Sequence, residues 1–366
     1  MSPRIRIAMV VNDLNFNGIS TVVMNYCREI NLDTFKISIL AGAPVERTYQ
    51  EECESMGVEL IELPSRKKSS RAYYFAFNHA ITKGHYNIVH VHGNSATITI
   101  ELAIAWFHGI KVRIAHSHTC TCNHMRAHNF LLPLFKRLYT NGFACSLMAG
   151  NWLFGEGCFD IIPNGFDTRQ YIFNPIDRDN IKKELDLEDK FVIGHIGRFN
   201  HVKNQFFLLE VFELIAADYD NVVLLLVGDG PDLKKVKDKA DRSQYSSRII
   251  IYGESSKTER LYSGMDMFAF PSRYEGLGIS MLEAQISGLP CVSSDTVPRE
   301  VVLCPNVHFL PIEEKNIETW KEQIIDIMLK EYERENVFEM YREYISKYNI
   351  ADCARSLERK YMELVK

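Results

Sequence analysis

No apolar run in this 366-residue chain approaches the roughly 20 residues that a membrane-spanning helix requires. Low-complexity tracts and internal repeats are also missing. With 46% apolar and 24% charged residues, the composition excludes a disordered or collagen-like chain. The nine cysteines are odd in number, scattered and mostly set in apolar segments, which argues against a disulfide scaffold and for buried thiols in a reducing compartment. A strand-like apolar run begins by Ile5 with no signal-peptide core before it, so a cytoplasmic protein is expected. Acid is nearly absent from one long stretch: between Leu63 and Gly155 a single carboxylate, Glu101, faces ten Lys+Arg, and nine of the twelve histidines lie there. The net charge of −5 is thus uneven, with 16 Lys+Arg against 13 Asp+Glu in residues 1–170 (+3) and 26 against 34 in residues 171–366 (−8). Such a positive field attracts anions, either small phosphorylated ligands or anionic lipid; no nucleic-acid partner is expected.

At about 150 residues per domain, the length suggests two domains. Ile5–Val11 is short and nearly all apolar, as in a strand buried on both faces of a parallel sheet, and Gly18–Ile30 then takes helical spacing. Strand patterns recur at Lys36–Ala41, Val58–Leu63, Asn87–His92, Val112–His118, Gly142–Ser146 and Asp160–Pro163, with helical stretches between them. The rhythm restarts at Phe191–Gly197 and continues through Val222–Val227, Arg248–Gly253, Met267–Pro271, Pro290–Ser293 and Val307–Leu310. This predicts an α/β protein of two doubly wound domains, joined by the polar Gly165–Lys190 stretch around Pro175. Ligands of doubly wound sheets bind beyond the carboxyl ends of strands, so the site is expected in a cleft between the domains.

Pro271-Ser-Arg-Tyr-Glu-Gly-Leu-Gly-Ile-Ser-Met-Leu-Glu283 reads as a strand end, a glycine-containing loop and a helix. Gly276 and Gly278 allow close backbone approach to a ligand, and a helix start favours phosphate. Glu275 on the loop and Glu283 eight residues on are two carboxylates suited to a polyol such as a ribose or hexose; an ordinary loop with a helix-start Glu is the plainer reading. Gly197-Arg-Phe-Asn-His-Val-Lys203, also between a strand and a helix, offers a guanidinium fork at Arg198 and a point charge at Lys203 for one diphosphate, or simply a polar loop. Val10–Ser20 repeats the strand–loop–helix pattern with one glycine, Gly18, which lacks the dinucleotide fingerprint. His116, His118, Cys120, Cys122 and His124 occupy even positions and would share one face of an extended chain, a weak metal pattern without a second distant pair. A histidine at a strand's end is more naturally a ligand-binding or catalytic group, and His90 and His92 end the preceding strand.

Asn164, in the Asn-Gly turn of Ile162–Asp167, is a weaker site candidate, as are Ser272 and Glu300. Gly228-Asp-Gly-Pro231 is a turn or a nucleotide-base border. Arg66, Lys67, Lys68 and Arg71, followed by Tyr73, Tyr74, Phe75 and Phe77, form one apolar-basic stretch, and Phe130–Arg137, with Lys136 and Arg137, forms a second. Both suit a surface lying on an anionic membrane, or core packing with solvated charge.

Taken together these residues resemble the retaining glycosyltransferases of family 4. Glu275 and Glu283, with Gly276-Leu277-Gly278 between them, resemble the family's E-x7-E signature, and Gly197-Arg198 with Lys203 resembles its diphosphate-binding pair. Ile162–Asp167, Gly228–Pro231, Ala284 with Gly288-Leu-Pro290, and Asp295 with Glu300 match in order and spacing over essentially the whole chain. Arg113–His118 and Cys145–Gly155 look most like bacterial transferases for capsular or exopolysaccharide sugars.

The resemblance implies a GT-B fold of two Rossmann-like domains facing across a cleft: residues 1–170 on the acceptor side, completed by a C-terminal helix over 349–366, and residues 171–348 on the nucleotide-sugar side. It implies transfer of a hexose or N-acetylhexosamine, with retention, from a nucleoside diphosphate sugar (UDP-linked on family frequency) to a glycan or lipid-linked glycan acceptor. On the family pattern Arg198 and Lys203 hold the diphosphate, Glu283 the ribose and Glu275 the donor sugar, and the Gly18 loop approaches the phosphates or the acceptor. His118 matches the histidine near the donor sugar, with His116 as the alternative. The chain departs from the pattern at Asn17, where the family often has a second glycine, and Cys120 and Cys122 have no counterpart. No Asp-x-Asp motif stands out as a metal–diphosphate clamp, so no metal or other cofactor is expected. The architecture is shared with nucleotide-sugar epimerases and sugar phosphorylases, which need no glycan acceptor, and a non-catalytic nucleotide-sugar sensor would keep the same binding residues.

Overall fold

The computed structural model describes residues 4–122 and 124–366. They form two compact units, Met1–Phe166 with Lys347–Lys366, and Asp167–Ser346. In the first unit β1 (Ile5–Val11), α1 (Gly18–Glu29), β2 (Phe35–Gly42), α2 (Arg47–Met56), β3 (Glu59–Leu63), α3 (Ser70–Gly84), β4 (Ile88–Gly93), α4 (Thr99–Phe107), β5 (Val112–Ser117), α5 (Met125–Leu138), β6 (Asn141–Ala144), α6 (Leu147–Phe154) and β7 (Asp160–Ile161) alternate along the chain. The seven strands are parallel in the order β3-β2-β1-β4-β5-β6-β7. The order reverses at β1 and β4, where loops leave the strands in opposite directions and open a crevice at their carboxyl ends.

The second unit runs through α7 (Pro175–Glu184), β8 (Phe191–Ile196), α8 (Gln205–Asp218), β9 (Val222–Val227), α9 (Leu233–Arg242), β10 (Ile249–Gly253), α10 (Thr258–Gly264), β11 (Met267–Phe270), α11 (Ile279–Ile286), β12 (Cys291–Ser294), β13 (Val307–Leu310), α12 (Ile317–Met328), α13 (Val337–Met340) and α14 (Arg342–Ser346). Its parallel sheet is ordered β10-β9-β8-β11-β12-β13 and reverses at β8 and β11. Every residue of β9, Val-Val-Leu-Leu-Leu-Val, is buried, as helices on both faces of a parallel sheet demand. The polar stretch read as a join holds α7: Asn174 caps it, its side chain accepting from the Ile176 and Asp177 amides, and Pro175 stands in its first turn, where a missing N–H costs nothing.

The last helix, α15 (Ile350–Leu364), returns to the first unit and packs on α1. It buries Ile350, Cys353, Ala354, Leu357 and Tyr361 in the core formed by Met9, Tyr26, Phe35 and their neighbours. Among the described residues no helix is long and apolar enough to cross a membrane.

Candidate active site

In the second unit two loops leave β8 and β11 side by side. The first, Gly197–Asn204, carries Arg198 and Lys203; the second, Pro271–Gly278, carries Glu275. They are stitched together where the Arg273 amide donates to the Val202 carbonyl (2.7 Å) and the Arg273 guanidinium donates to Asn204 Oδ1 (3.0 Å). Gly197 lies against the aliphatic stem of Lys203: a Cβ there would meet Lys203 Cδ and Cε at 3.3 Å. Gly278 has φ +93°, a left-handed conformation that brings the chain directly into α11 and that a side chain would strain. The Gly228–Pro231 turn is pinned to the same region, the Phe199 amide donating to the Asp229 carbonyl (2.9 Å).

These constraints place Lys203 Nζ 2.6 Å from Glu275 Oε1 and 4.6 Å over the Phe270 ring. Both charged side chains are largely buried, at 17% and 13% exposure, so the pair sits in a medium where Coulomb attraction is strong. Arg198 is exposed, and its guanidinium has no partner among the described residues. The loop thus holds one cation paired with an acid and a second cation that is exposed.

Glu283, one turn into α11, is held from behind: the Tyr262 hydroxyl donates to its Oε2 at 2.8 Å, and Tyr171 also hydrogen-bonds to it. Burial pushes the Glu283 carboxyl above its ordinary range, while the Tyr262 and Tyr171 phenols and the Lys203 charge pull it back. Ser272 is buried with its hydroxyl unpartnered among the described residues, and its carbonyl accepts from Thr296 Oγ1 at 2.9 Å. Glu300 is exposed in a short 3-10 turn, Arg299–Val301. Gly276 and the nearly buried Leu277 lie within the Glu275 loop.

In the first unit Gly18 begins α1. Asn17 caps that helix, its Oδ1 accepting from the Ile19 and Ser20 amides, which accounts locally for an Asn where a second glycine is common. A Cβ on Gly18 would meet nothing within 4 Å, so the space above this helix start is open. The ends of β4 and β5, in register at His92 and His116, stack four buried imidazoles. His118 Nδ1 lies 3.0 Å from Asn164 Oδ1, and His118 Nε2 lies 2.9 Å from His92 Nδ1. His90 Nε2 lies 3.1 Å from His116 Nδ1, and His90 Nδ1 lies 2.6 Å from the Tyr361 hydroxyl on α15. With Asn164 accepting, His118 donates from Nδ1 and accepts at Nε2 from His92. Burial drives all four imidazoles toward the neutral form, His118 down to about 4. Of the two candidate histidines, His116 is sealed in the stack, whereas His118 keeps 5% exposure with both ring nitrogens engaged.

The structure corrects two expectations. The extended chain assumed for His116 to His124 ends with β5 at Ser117, so those even positions do not share a strand face. The ring nitrogens that do gather, on His90, His92 and His116, lie within 4.8 Å, but His90 stacks on His92 at 4.2 Å and 24°. Stacked rings direct their lone pairs in parallel instead of converging them on one ion, which lies in the plane of each imidazole it binds. Arg66, grouped above with the membrane-facing cations, is used internally: it pairs with buried Glu101 at 3.0 Å and donates to the Thr97 carbonyl at 3.1 Å. The residues that composition and spacing did not reveal are Tyr171, Tyr262 and Phe270. Each acts across the fold on a partner distant in sequence, so no local motif marks it.

Residues 177–346 match the family model of glycosyl transferases group 1, and residues 16–170 match that of glycosyltransferase family 4. EpsF of Bacillus subtilis, described as a glycosyltransferase, is 31% identical over 310 residues, covering 81% of this chain and 80% of EpsF. The capsular polysaccharide biosynthesis glycosyltransferase CapH of Staphylococcus aureus is 26% identical, covering 80% and 81%. Among solved structures, Anabaena HepE in complex with UDP and glucose superposes with a TM-score of 0.80 at 17% identity, over 98% of this chain and all of that one. The two Rossmann-like units are thus those of the GT-B fold.

Proposed function

The chain belongs to the glycosyltransferases of group 1 and family 4, and we propose that it moves a hexose or N-acetylhexosamine from a UDP-sugar, with retention at the anomeric carbon, to a glycan or lipid-linked glycan acceptor in surface polysaccharide synthesis. The observation that carries this reading is the Lys203–Glu275 pair at 2.6 Å, with Arg198 open in the same loop. Breaking the sugar–phosphate bond sends its electron pair to the diphosphate and leaves cationic character on the sugar. Arg198 and Lys203 are preorganised cations for the departing charge, and Glu275 is placed for the sugar hydroxyls. Glu283, braced by two phenols, accepts from the ribose hydroxyls. Because two side-chain cations supply the charge, the reaction runs without a metal ion. The UDP-bound HepE structures support uridine as the base, and the name of CapH supports a polysaccharide acceptor.

A thermal-shift panel of UDP, GDP, ADP and their sugars, with and without EDTA, tests the donor assignment, since a ligand stabilises the form that binds it by mass action. The expected result is a UDP-selective, EDTA-insensitive shift. A GDP- or ADP-selective shift overturns the base, loss of the shift in EDTA overturns metal independence, and no shift at all overturns the donor site.

A further inference from the structure

α3 packs over β2 and β3 with a row of small residues toward the sheet: Ala76, Ala80 and Gly84, spaced by four, share one helix face. Opposite them Ile61 and Leu63 alternate along β3. Side chains this small do not fill the space above the strand, and a cavity of about 310 Å³ is left between helix and sheet.

Beside these apolar walls the lining is polar, although a parallel sheet covered by a helix is ordinarily apolar on that face. Ala8, Ser38 and Glu59 are in register across β1, β2 and β3, and Arg6, two residues before Ala8, shares their face. Ser38 Oγ donates to Glu59 Oε2 at 2.7 Å. Tyr86, 6% exposed, lays its ring against Gly84, where a Cβ would stand 1.9 Å from Tyr86 Cε2. The Tyr86 hydroxyl and Arg6 Nε are both buried, and neither has a hydrogen-bond partner among the described residues. Burial pushes the phenol above its ordinary range, opposed by Ser38 and Arg6 and reinforced by Glu59, so the hydroxyl keeps its proton and remains a donor. A buried donor left unpaired costs its full desolvation, and two lining one cavity mark a place where a ligand supplies the acceptor.

The charges of the lining select that ligand. Arg6 and Lys83 stand against Glu59 and Glu62. A lone anion would be drawn to the guanidinium and repelled by the carboxylates, and a lone cation the reverse. A molecule with both charges close together satisfies both, and its apolar part can lie on Ile61, Leu63, Ala76 and Ala80. The volume is at the low end of the roughly 300–1,000 Å³ of ligand pockets, which calls for a small molecule. Arg6 and Glu59 stand at the amino ends of β1 and β3, whereas the crevice of this sheet opens at the carboxyl ends, so the two places are separate.

We propose that the cavity between α3 and β3 binds a small apolar α-amino acid, with its carboxylate on Arg6 and Tyr86 and its ammonium on Glu59. This inference does not depend on the sugar-donor reading, and its readout is separate.

The test is calorimetric titration of the full chain with L-leucine, L-methionine and L-phenylalanine, set against 4-methylpentanoate and 3-methylbutylamine, which carry the leucine side chain with one charge each. Saturable one-site binding of at least one amino acid is expected, with the acid and the amine each at least ~10-fold weaker. Tyr86→Phe is expected to weaken amino-acid binding about tenfold while the free protein melts at the same or a higher temperature, because an unpaired buried hydroxyl is gone. Ala76→Leu, at a half-buried position, fills the cavity and is expected to abolish binding in a chain that stays folded by circular dichroism. Binding of none of the three amino acids overturns the proposal. So does binding of the acid or the amine as tight as that of leucine, or parental affinity in either variant.

Discussion

Lys203 Nζ lies 2.6 Å from Glu275 Oε1, so the ammonium expected to stabilise a departing diphosphate is neutralised by a carboxylate of the neighbouring loop. On the proposed donor reading, an arriving diphosphate places a second anion at the same cation, and the Lys203–Glu275 pair exchanges its counterion. Lys203→Ala is therefore expected to lower kcat by about 10²–10³, the cost typical of removing one group that stabilises developing charge. Circular dichroism should show a folded protein, because Glu275 is on a loop. Lys203→Ala/Glu275→Gln neutralises the acid that loses this cation and separates the two effects: its melting temperature should recover while turnover stays low. Near-normal turnover in Lys203→Ala would sink the assignment.

The Tyr262 hydroxyl, 2.8 Å from Glu283 Oε2, opposes the burial that pushes the carboxyl pKa upward. Tyr262→Phe removes that donor, so the carboxylate should take up a proton at higher pH than in the parent protein. The acid limb of the donor KM-versus-pH profile is then expected to move to higher pH, with donor KM at neutral pH raised roughly tenfold and kcat changed far less. A phenol that only filled space would leave the acid limb unmoved.

Glu283→Gln gives the converse stability prediction. A carboxyl whose folded pKa lies above its unfolded one costs stability once pH exceeds both values. The neutral amide avoids that cost, so the free protein should melt at the same or a higher temperature while the UDP-induced shift disappears. A lower melting temperature with the UDP shift retained would show that Glu283 serves the fold and not the ligand.

Much of this was legible in the sequence, for physical reasons that differ by element. Buried parallel strands read as apolar runs, continuous in β9 and broken only by Arg6 in β1, so their positions follow from composition over a few residues. The Glu275–Glu283 spacing marks the candidate donor loop because that segment is a local strand–loop–helix turn. The role of Arg66 was not legible, since its partner Glu101 is 35 residues away and an isolated Arg-Lys-Lys run reads as solvated charge. Nor were Tyr171 and Tyr262, which reach Glu283 only once α10, α11 and the 3-10 turn Thr168–Tyr171 are packed together. The histidine stack was half visible: strand alternation puts His90 with His92 on one face, but their registry with His116 and His118 exists only in the assembled sheet.

The buried histidines, those of the stack together with His195 on β8, carry the last prediction. His118 and His195 are buried, and burial pushes both down to about 4 from an ordinary 6.5. His90, His92 and His116 are driven the same way. A histidine kept neutral in the fold is protonated more readily in the unfolded chain. The unfolded state therefore binds more protons between about pH 4 and 6.5, and stability rises with pH across that window. For His118 and His195 the loss reaches about 3 kcal/mol each once pH has fallen below both the folded and unfolded values. That is of the same order as the whole stability of many domains. Urea midpoints should be level from pH 8 to 7 and then fall steeply from about pH 6.5 downward. Replacing His195, whose Nδ1 lies 2.9 Å from the Ala269 carbonyl, by Gln should lower the midpoint at pH 7.5 but flatten its decline on acidification. Midpoints level down to pH 5 would mean that these imidazoles accept protons without leaving the fold.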